Sequence, residues 1–182
     1  MNCRCSAAVF LAVCVSLAAA PGPATAQQAI HHEHADGRPS TSLTIRTPDH
    51  TLTLSVADLQ ALPQTTVDVF NAHSKHIETY SGPLVSDVLA KAGITLTEPT
   101  EHHILDSYIL ATGSDGYFVI YSGAELQPGL HRAQVIVAIA QSGQPLTRTG
   151  AFQLIDPVDV KPARWVRNLE SLTVVPVAGP AH

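Results

Sequence analysis

The chain has 182 residues, about the length of a single domain. It is 45% hydrophobic and only 14% charged, which excludes a disordered chain. A formal net charge of −5 argues against a nucleic-acid partner or an anionic membrane, though a local basic spot for a small anion stays open.

The N-terminus reads as a targeting segment. Arg4 precedes an apolar run from Ala7 to Ala20, Pro21 and Pro23 break the run, and Ala24-Thr25-Ala26 has the A-x-A form of a cleavage site. Fourteen residues are short for a membrane-spanning helix and suit a signal h-region, so stable membrane insertion is not expected. The expectation is a signal peptide over 1–26, cut after Ala26, and a periplasmic or secreted protein starting at Gln27. Lipoprotein processing at Leu11-Ala12-Val13-Cys14 is the rival, with a bulky Val13 where a small residue is wanted. Cys3, Cys5 and Cys14 all precede the expected cut, so the processed chain has no disulfide, thiolate nucleophile or thiolate metal ligand.

Residues 27–41 read as a flexible tail carrying His31, His32 and His34 around Glu33. Imidazoles at this density bind divalent copper, nickel or zinc, weakly when the segment must first be ordered. Ser42–Arg46 and His50–Leu54 alternate and read as a hairpin across Pro48-Asp49. Ser55 caps a short helix over Val56–Leu62 that Pro63 stops, and Thr65–Phe70 reads as a strand. Asn71–Ser81 is polar and reads as a loop. His73 and His76, three apart, are weak metal-ligand candidates there, or simply two solvated histidines.

One firm helix is expected over about 84–92, with Leu84, Val85, Val88 and Leu89 as one apolar stripe, Lys91 in the last turn and Gly93 ending it. Ile104–Ala111 is part strand, Gly113-Ser114-Asp115-Gly116 a tight turn, and Tyr117–Tyr121 a strand with Tyr117, Val119 and Tyr121 on one face. Ser122–Leu126 reads as one helical turn. Ala133–Ala140, apolar but for Gln134, reads as a central buried strand. Ser142-Gly143-Gln144-Pro145 makes a hairpin turn. Ala151–Ile155 and Leu169–Val175 are the last strands, within a domain of 42–176, before a short tail over 177–182. Many short strands with one firm helix make an α+β or mainly β, strand-rich single domain.

Between those last strands lies the stretch with the most chemistry, Asp156-Pro157-Val158-Asp159-Val160-Lys161-Pro162-Ala163-Arg164-Trp165. A buried strand opening into a turn that presents Lys161 and Arg164 is a candidate cradle for phosphate or carboxylate. The alternative is that both cations are solvated and Trp165 is core. Catalytic signatures are lacking: there is no G-x-S-x-G elbow and no H-E-x-x-H.

Four stretches together resemble the molybdopterin-binding domain of the sulfite-oxidase superfamily, which includes periplasmic bacterial reductases. They are Ser55-Val56-Ala57-Asp58-Leu59-Gln60-Ala61-Leu62-Pro63, Tyr80–Gly93, Ser114-Asp115-Gly116-Tyr117, and Lys161-Pro162-Ala163-Arg164-Trp165-Val166. The resemblance implies that fold from about Leu43 to Val175. It also implies an oxidoreductase whose metal is held by a pterin dithiolene and by one cysteine following the strand at Thr65–Phe70. Here that region reads Phe70-Asn71-Ala72-His73-Ser74, without cysteine. The resemblance places Lys161 and Arg164 at the ligand site, with Asp115 and Tyr117 lining the same cleft.

Three functions follow as expectations. The first is an exported molybdopterin-binding-like domain without the molybdenum cofactor, acting on a small anion or as an accessory domain for a periplasmic redox partner. The second is an active molybdopterin-dependent oxidoreductase with a non-cysteine ligand such as His73. The third is a metal-binding protein working through the N-terminal His cluster. The signal lacks a twin-Arg pair, which implies export of an unfolded chain and favours the first; whether the chain is an enzyme stays open.

Overall fold

A computed structural model describes residues 38–72, 74–95, 104–132 and 134–179. The strands and helices in chain order are β1 (Leu43–Arg46), β2 (Thr51–Leu54), α1 (Val56–Gln60), β3 (Thr65–Asn71), β4 (His76–Gly82), α2 (Val85–Lys91), β5 (Ser107–Gly113) and β6 (Phe118–Ser122). They continue with β7 (Ile136–Ala138), β8 (Ala140–Gln141), β9 (Gln144–Pro145), β10 (Gln153–Ile155) and β11 (Leu169–Pro176). Short 3-10 turns occupy Ala124–Leu126 and Pro162–Arg164. The architecture is α+β and strand-rich.

A five-stranded sheet runs β2-β1-β11-β5-β6, with β1 parallel to β11 and the other neighbours antiparallel. A four-stranded sheet runs β3-β4-β8-β9, and β10 pairs with β7. Two cores result. In the first, Leu43, Ile45, Ile109, Ala111, Val119, Tyr121, Leu172 and Val174 from the five-stranded sheet pack with Val85, Val88 and Leu89 of α2. In the second, Val67, Val69 and Tyr80 of β3 and β4 pack with Ile136, Ala138, Ile155 and Trp165.

The continuous apolar run around β7 has its reason here. Val135, Val137 and Ile139 belong to the first core, while Ile136 and Ala138 belong to the second. Successive side chains of a strand point to opposite faces, so a strand between two cores must be apolar at every position. The sequence expectation of one long strand over Ala133–Ala140 is corrected: it is two short strands, β7 and β8, serving different pairings. At Gly82 β4 passes so close to β7 that a Cβ would lie 1.9 Å from the Val137 carbonyl oxygen.

Local signals acted largely as expected. Ser55 and Asp58 form a capping box: Ser55 Oγ accepts the Asp58 N–H at 3.3 Å, and Asp58 Oδ2 accepts the Ser55 N–H at 2.7 Å. The helix they start ends at Gln60 rather than Leu62. In α2, Val85, Val88 and Leu89 are fully buried, whereas Leu84 is the N-cap and packs at the edge of the second core. Ser142 and Gly143 both take positive φ between the paired Gln141 and Gln144, making a two-residue hairpin loop.

The reading of Asn71–Ser81 as a loop is corrected. From His76 on, the segment is β4, paired with β3 along its length. Glu78 and Tyr80 share the inward face with Val67, Val69 and Asn71. The alternation was masked because an inward position carries a carboxylate while Ile77, outward, is exposed.

Candidate functional site: a polar cavity beside an arginine hub

The turn after β10 is organised by Arg164. Asp156 follows the buried β10 and its side chain is only 2% exposed. Its Oδ2 accepts Arg164 Nη2 at 3.0 Å, and its Oδ1 accepts the Val158 N–H at 3.2 Å. Asp159 accepts Arg164 Nη2 at 2.7 Å and Nε at 3.2 Å, and Glu125 accepts Nη1 at 3.1 Å. The guanidinium lies 4.4 Å from the centroid of the Tyr121 ring, a cation–π contact. Tyr121 Oη donates to the Arg164 carbonyl at 3.4 Å.

These contacts set the charges. Burial raises the Asp156 carboxyl above its ordinary 3.8, although the Val158 N–H and Arg164 favour its ionised form. Arg164 is held still more firmly protonated, chiefly through Asp159, with burial opposing. Burial pushes the Tyr121 phenol up, and the Asp156 charge adds to this.

The four residues expected to form an anion cradle therefore have different surroundings. Arg164 directs its donors to three carboxylates, so it is not the open cation that the sequence suggested. Lys161 is exposed at the start of the 3-10 turn. Tyr117 Oη donates to the Ala163 carbonyl, and the Tyr117 N–H donates to Asp115 Oδ1 at 3.0 Å. Tyr117 is thus tied to the same turn as Arg164, and Asp115 holds the Tyr117 backbone. Trp165 is 7% exposed, donates Nε1 to the Asp156 carbonyl at 3.0 Å, and meets Tyr80 edge-on with centroids 6.0 Å apart. It is a core residue of the second cluster. His76 is exposed at the start of β4. His31, His32, His34 and His73 lie outside the described residues.

On the other side of Trp165 is a cavity of about 260 Å3. It is lined by Asn71, Glu78, Tyr80, Gln141, Arg148, Thr149, Gln153, Trp165 and Arg167. Asn71 ends β3 in phase with Val67 and Val69, so the inward face turns polar at its tip. Asn71 Nδ2 donates to both Glu78 oxygens, at 3.0 and 3.1 Å; Ser74 Oγ donates to Oε1 at 2.9 Å and Tyr80 Oη to Oε2 at 2.8 Å. Burial works to raise the Glu78 carboxyl, yet the hydrogen bonds from Asn71, Tyr80 and Ser74, with the Arg167 charge, bring it below its ordinary 4.5. Burial and the Glu78 carboxylate push the Tyr80 phenol up. From β10 comes Gln153, 2% exposed, whose Oε1 has no hydrogen-bond partner.

Sequence reasoning missed this cavity. Its signals were present: Asn71 continues the inward alternation of β3, and Gln153 is a polar residue within the apolar run Phe152–Ile155. Neither shows a site until β3, β4 and β10 are brought together.

The resemblance places a metal ligand in the stretch after Thr65–Phe70, which reads Asn71-Ala72-His73-Ser74 without cysteine; His73 lies outside the described residues. The residues present do not fit a thiolate-held metal. Asn71 is a neutral amide already committed to Glu78. Among the described residues, no group of three His, Cys, Asp or Glu side chains converges to hold a metal ion.

The fold is that of a strand-rich α+β domain. A solved structure with the same fold is the sulfane dehydrogenase SoxCD from Paracoccus pantotrophus. The match covers 73% of this chain with a TM-score of 0.57 and 17% identity, and it spans 37% of that chain. At that identity the likeness establishes a shared fold. No protein family matches the sequence, and no curated protein matches it.

Proposed function

We propose that this chain is an exported, cofactor-free binding domain on the molybdopterin-oxidoreductase fold. Its ligand is a small anion, taken in the cavity between β3, β4 and β10. The observation that carries this reading is the pair of arginines, Arg148 and Arg167, that line a concave polar space together with Tyr80 and Trp165. Arginine presents a planar fork of donors suited to carboxylates and oxyanions. Both arginines are exposed, and neither has a hydrogen bond or ion pair to another described side chain, in contrast to Arg164.

The stretch Asn71-Ala72-His73-Ser74 after β3 has no cysteine, which argues against the thiolate-held metal of the superfamily resemblance. The fold shared with a sulfane dehydrogenase fits a domain that keeps the scaffold of an oxidoreductase and uses it for binding. The leader-like 1–26 and the Ala24-Thr25-Ala26 site support the export reading. A soluble redox protein outside the cytoplasm is the fitting partner, one that presents or receives the anion.

The test is calorimetry with sulfate and with acetate on the exported, processed protein, alongside metal analysis. Saturable binding of either anion, abolished in Arg148→Gln/Arg167→Gln with the melting temperature unchanged, is the expected result. Stoichiometric molybdenum, or anion binding indifferent to both arginines, would overturn the reading. Mass spectrometry of the same sample should find Gln27 as the first residue; a lipidated Cys14 would contradict the export route.

A further inference from the structure

The cavity holds more than cations. The same lining carries a carboxylate, Glu78, held ionised by its neighbours. Four donor contacts, two from Asn71 and one each from Ser74 and Tyr80, use the lone-pair positions a carboxylate offers. Glu78 therefore adds a negative field to the cavity and has little capacity left to bond a ligand. The free acceptor is Gln153 Oε1, buried and unpartnered. A buried acceptor without a protein donor is costly to keep, so a ligand N–H that reaches it would satisfy it.

A fully ionised oxyanion has only acceptors. It would satisfy Arg148 and Arg167 but leave Gln153 Oε1 orphaned, and it would place a second negative charge near Glu78. A ligand with an anionic end and a cationic N–H end answers the two arginines, the Glu78 charge and the Gln153 acceptor together. The edge-on pair Tyr80 and Trp165 gives its carbon linker an apolar wall and its cation an aromatic neighbour. The volume, about 260 Å3, suits a molecule of amino-acid size.

We propose that the cavity between β3, β4 and β10 binds a small zwitterion, an amino-carboxylate. Its carboxylate meets Arg148 and Arg167, and its ammonium donates to Gln153 Oε1 within the field of Glu78. This rests on the anion-binding reading above and names the ligand class for it.

The experiment is calorimetry on the processed wild-type protein with matched probes. Alanine is compared with propionate and ethylamine, and 4-aminobutyrate with butyrate and butylamine. The expected result is that at least one zwitterion binds roughly tenfold or more tightly than either of its single-charge analogues, the scale of one buried hydrogen bond. Gln153→Met, which keeps the side-chain length and removes the acceptor, should bring zwitterion affinity down to that of the matching carboxylate. Melting temperature without ligand checks that this variant is folded, and the wild-type comparison stands without it. If sulfate or a plain carboxylate binds as tightly as its zwitterion, this inference is overturned while the anion reading survives. If none of the probes and no sulfate binds, both fall.

Discussion

Replacing Arg164 with Gln removes the one cation shared by Glu125, Asp156 and Asp159. If Arg164 were a solvated cation, the change would cost almost nothing. Its geometry gives a different magnitude. The pair with Glu125 is more than a third exposed on both sides and is worth ~0–1 kcal/mol. The pair with Asp156 is different, because that side chain is 2% exposed and would keep a buried charge with no cation. Breaking a buried pair costs about 3–5 kcal/mol, and the one-third exposure of Arg164 discounts this to roughly 2–4 kcal/mol. For a chain of this size that lowers Tm by roughly 5–15 °C. Thermal and urea unfolding followed by circular dichroism measure it. The loss should also depend on pH. Burial raises the folded Asp156 carboxyl above 3.8, so its charged form is the costly one. As pH falls through that raised value the carboxyl protonates, the need for Arg164 disappears, and the difference from wild type should shrink. Asp156→Asn in the Arg164→Gln background should recover part of the lost stability at neutral pH. A single variant within half a kcal/mol of wild type, or a loss that does not change with pH, would refute the hub.

Leu89→Ala removes a fully buried side chain of the first core and should cost ~2–5 kcal/mol in urea unfolding; a loss under half a kcal/mol would mean the helix face is not packed as described. Trp165→Ala opens the second core and frees the Asp156 carbonyl. It should cost ~3–5 kcal/mol and also weaken ligand binding, because Trp165 is one wall of the cavity. Glu78 has a folded carboxyl below its ordinary 4.5, so the stability it contributes is present above that value and is lost as pH falls through the lower folded one. Glu78→Gln should therefore flatten the acid limb of the stability profile, and an unchanged acid limb would count against the Asn71–Glu78–Tyr80 network.

Much of the local structure was determined by neighbours in sequence. The capping box at Ser55 and Asp58, the stripe Val85-Val88-Leu89 and the Ser142-Gly143 turn act within a few residues, so their physics is complete in the chain itself. The same holds for the alternation in Thr65–Phe70, although it was not followed on to Asn71. The motifs spread from Ser55 to Val166 likewise carried the fold resemblance, and the shared fold agrees with it. What tertiary structure decided was which polar groups meet. Arg164 lies 39 residues from Glu125, and no spacing rule tells an open cation from one bound by three carboxylates. The parallel pairing of β1 with β11 is equally nonlocal. Ala133–Ala140 looked like one central strand because a window of apolar residues cannot report that alternate side chains enter two different cores. Gln153 has no sequence signature of a site; only the fold sets it, on β10, in the same cavity as the arginines and the Glu78 carboxylate. Burial and charge depend on distances between segments far apart in the chain, and only the folded arrangement supplies those distances.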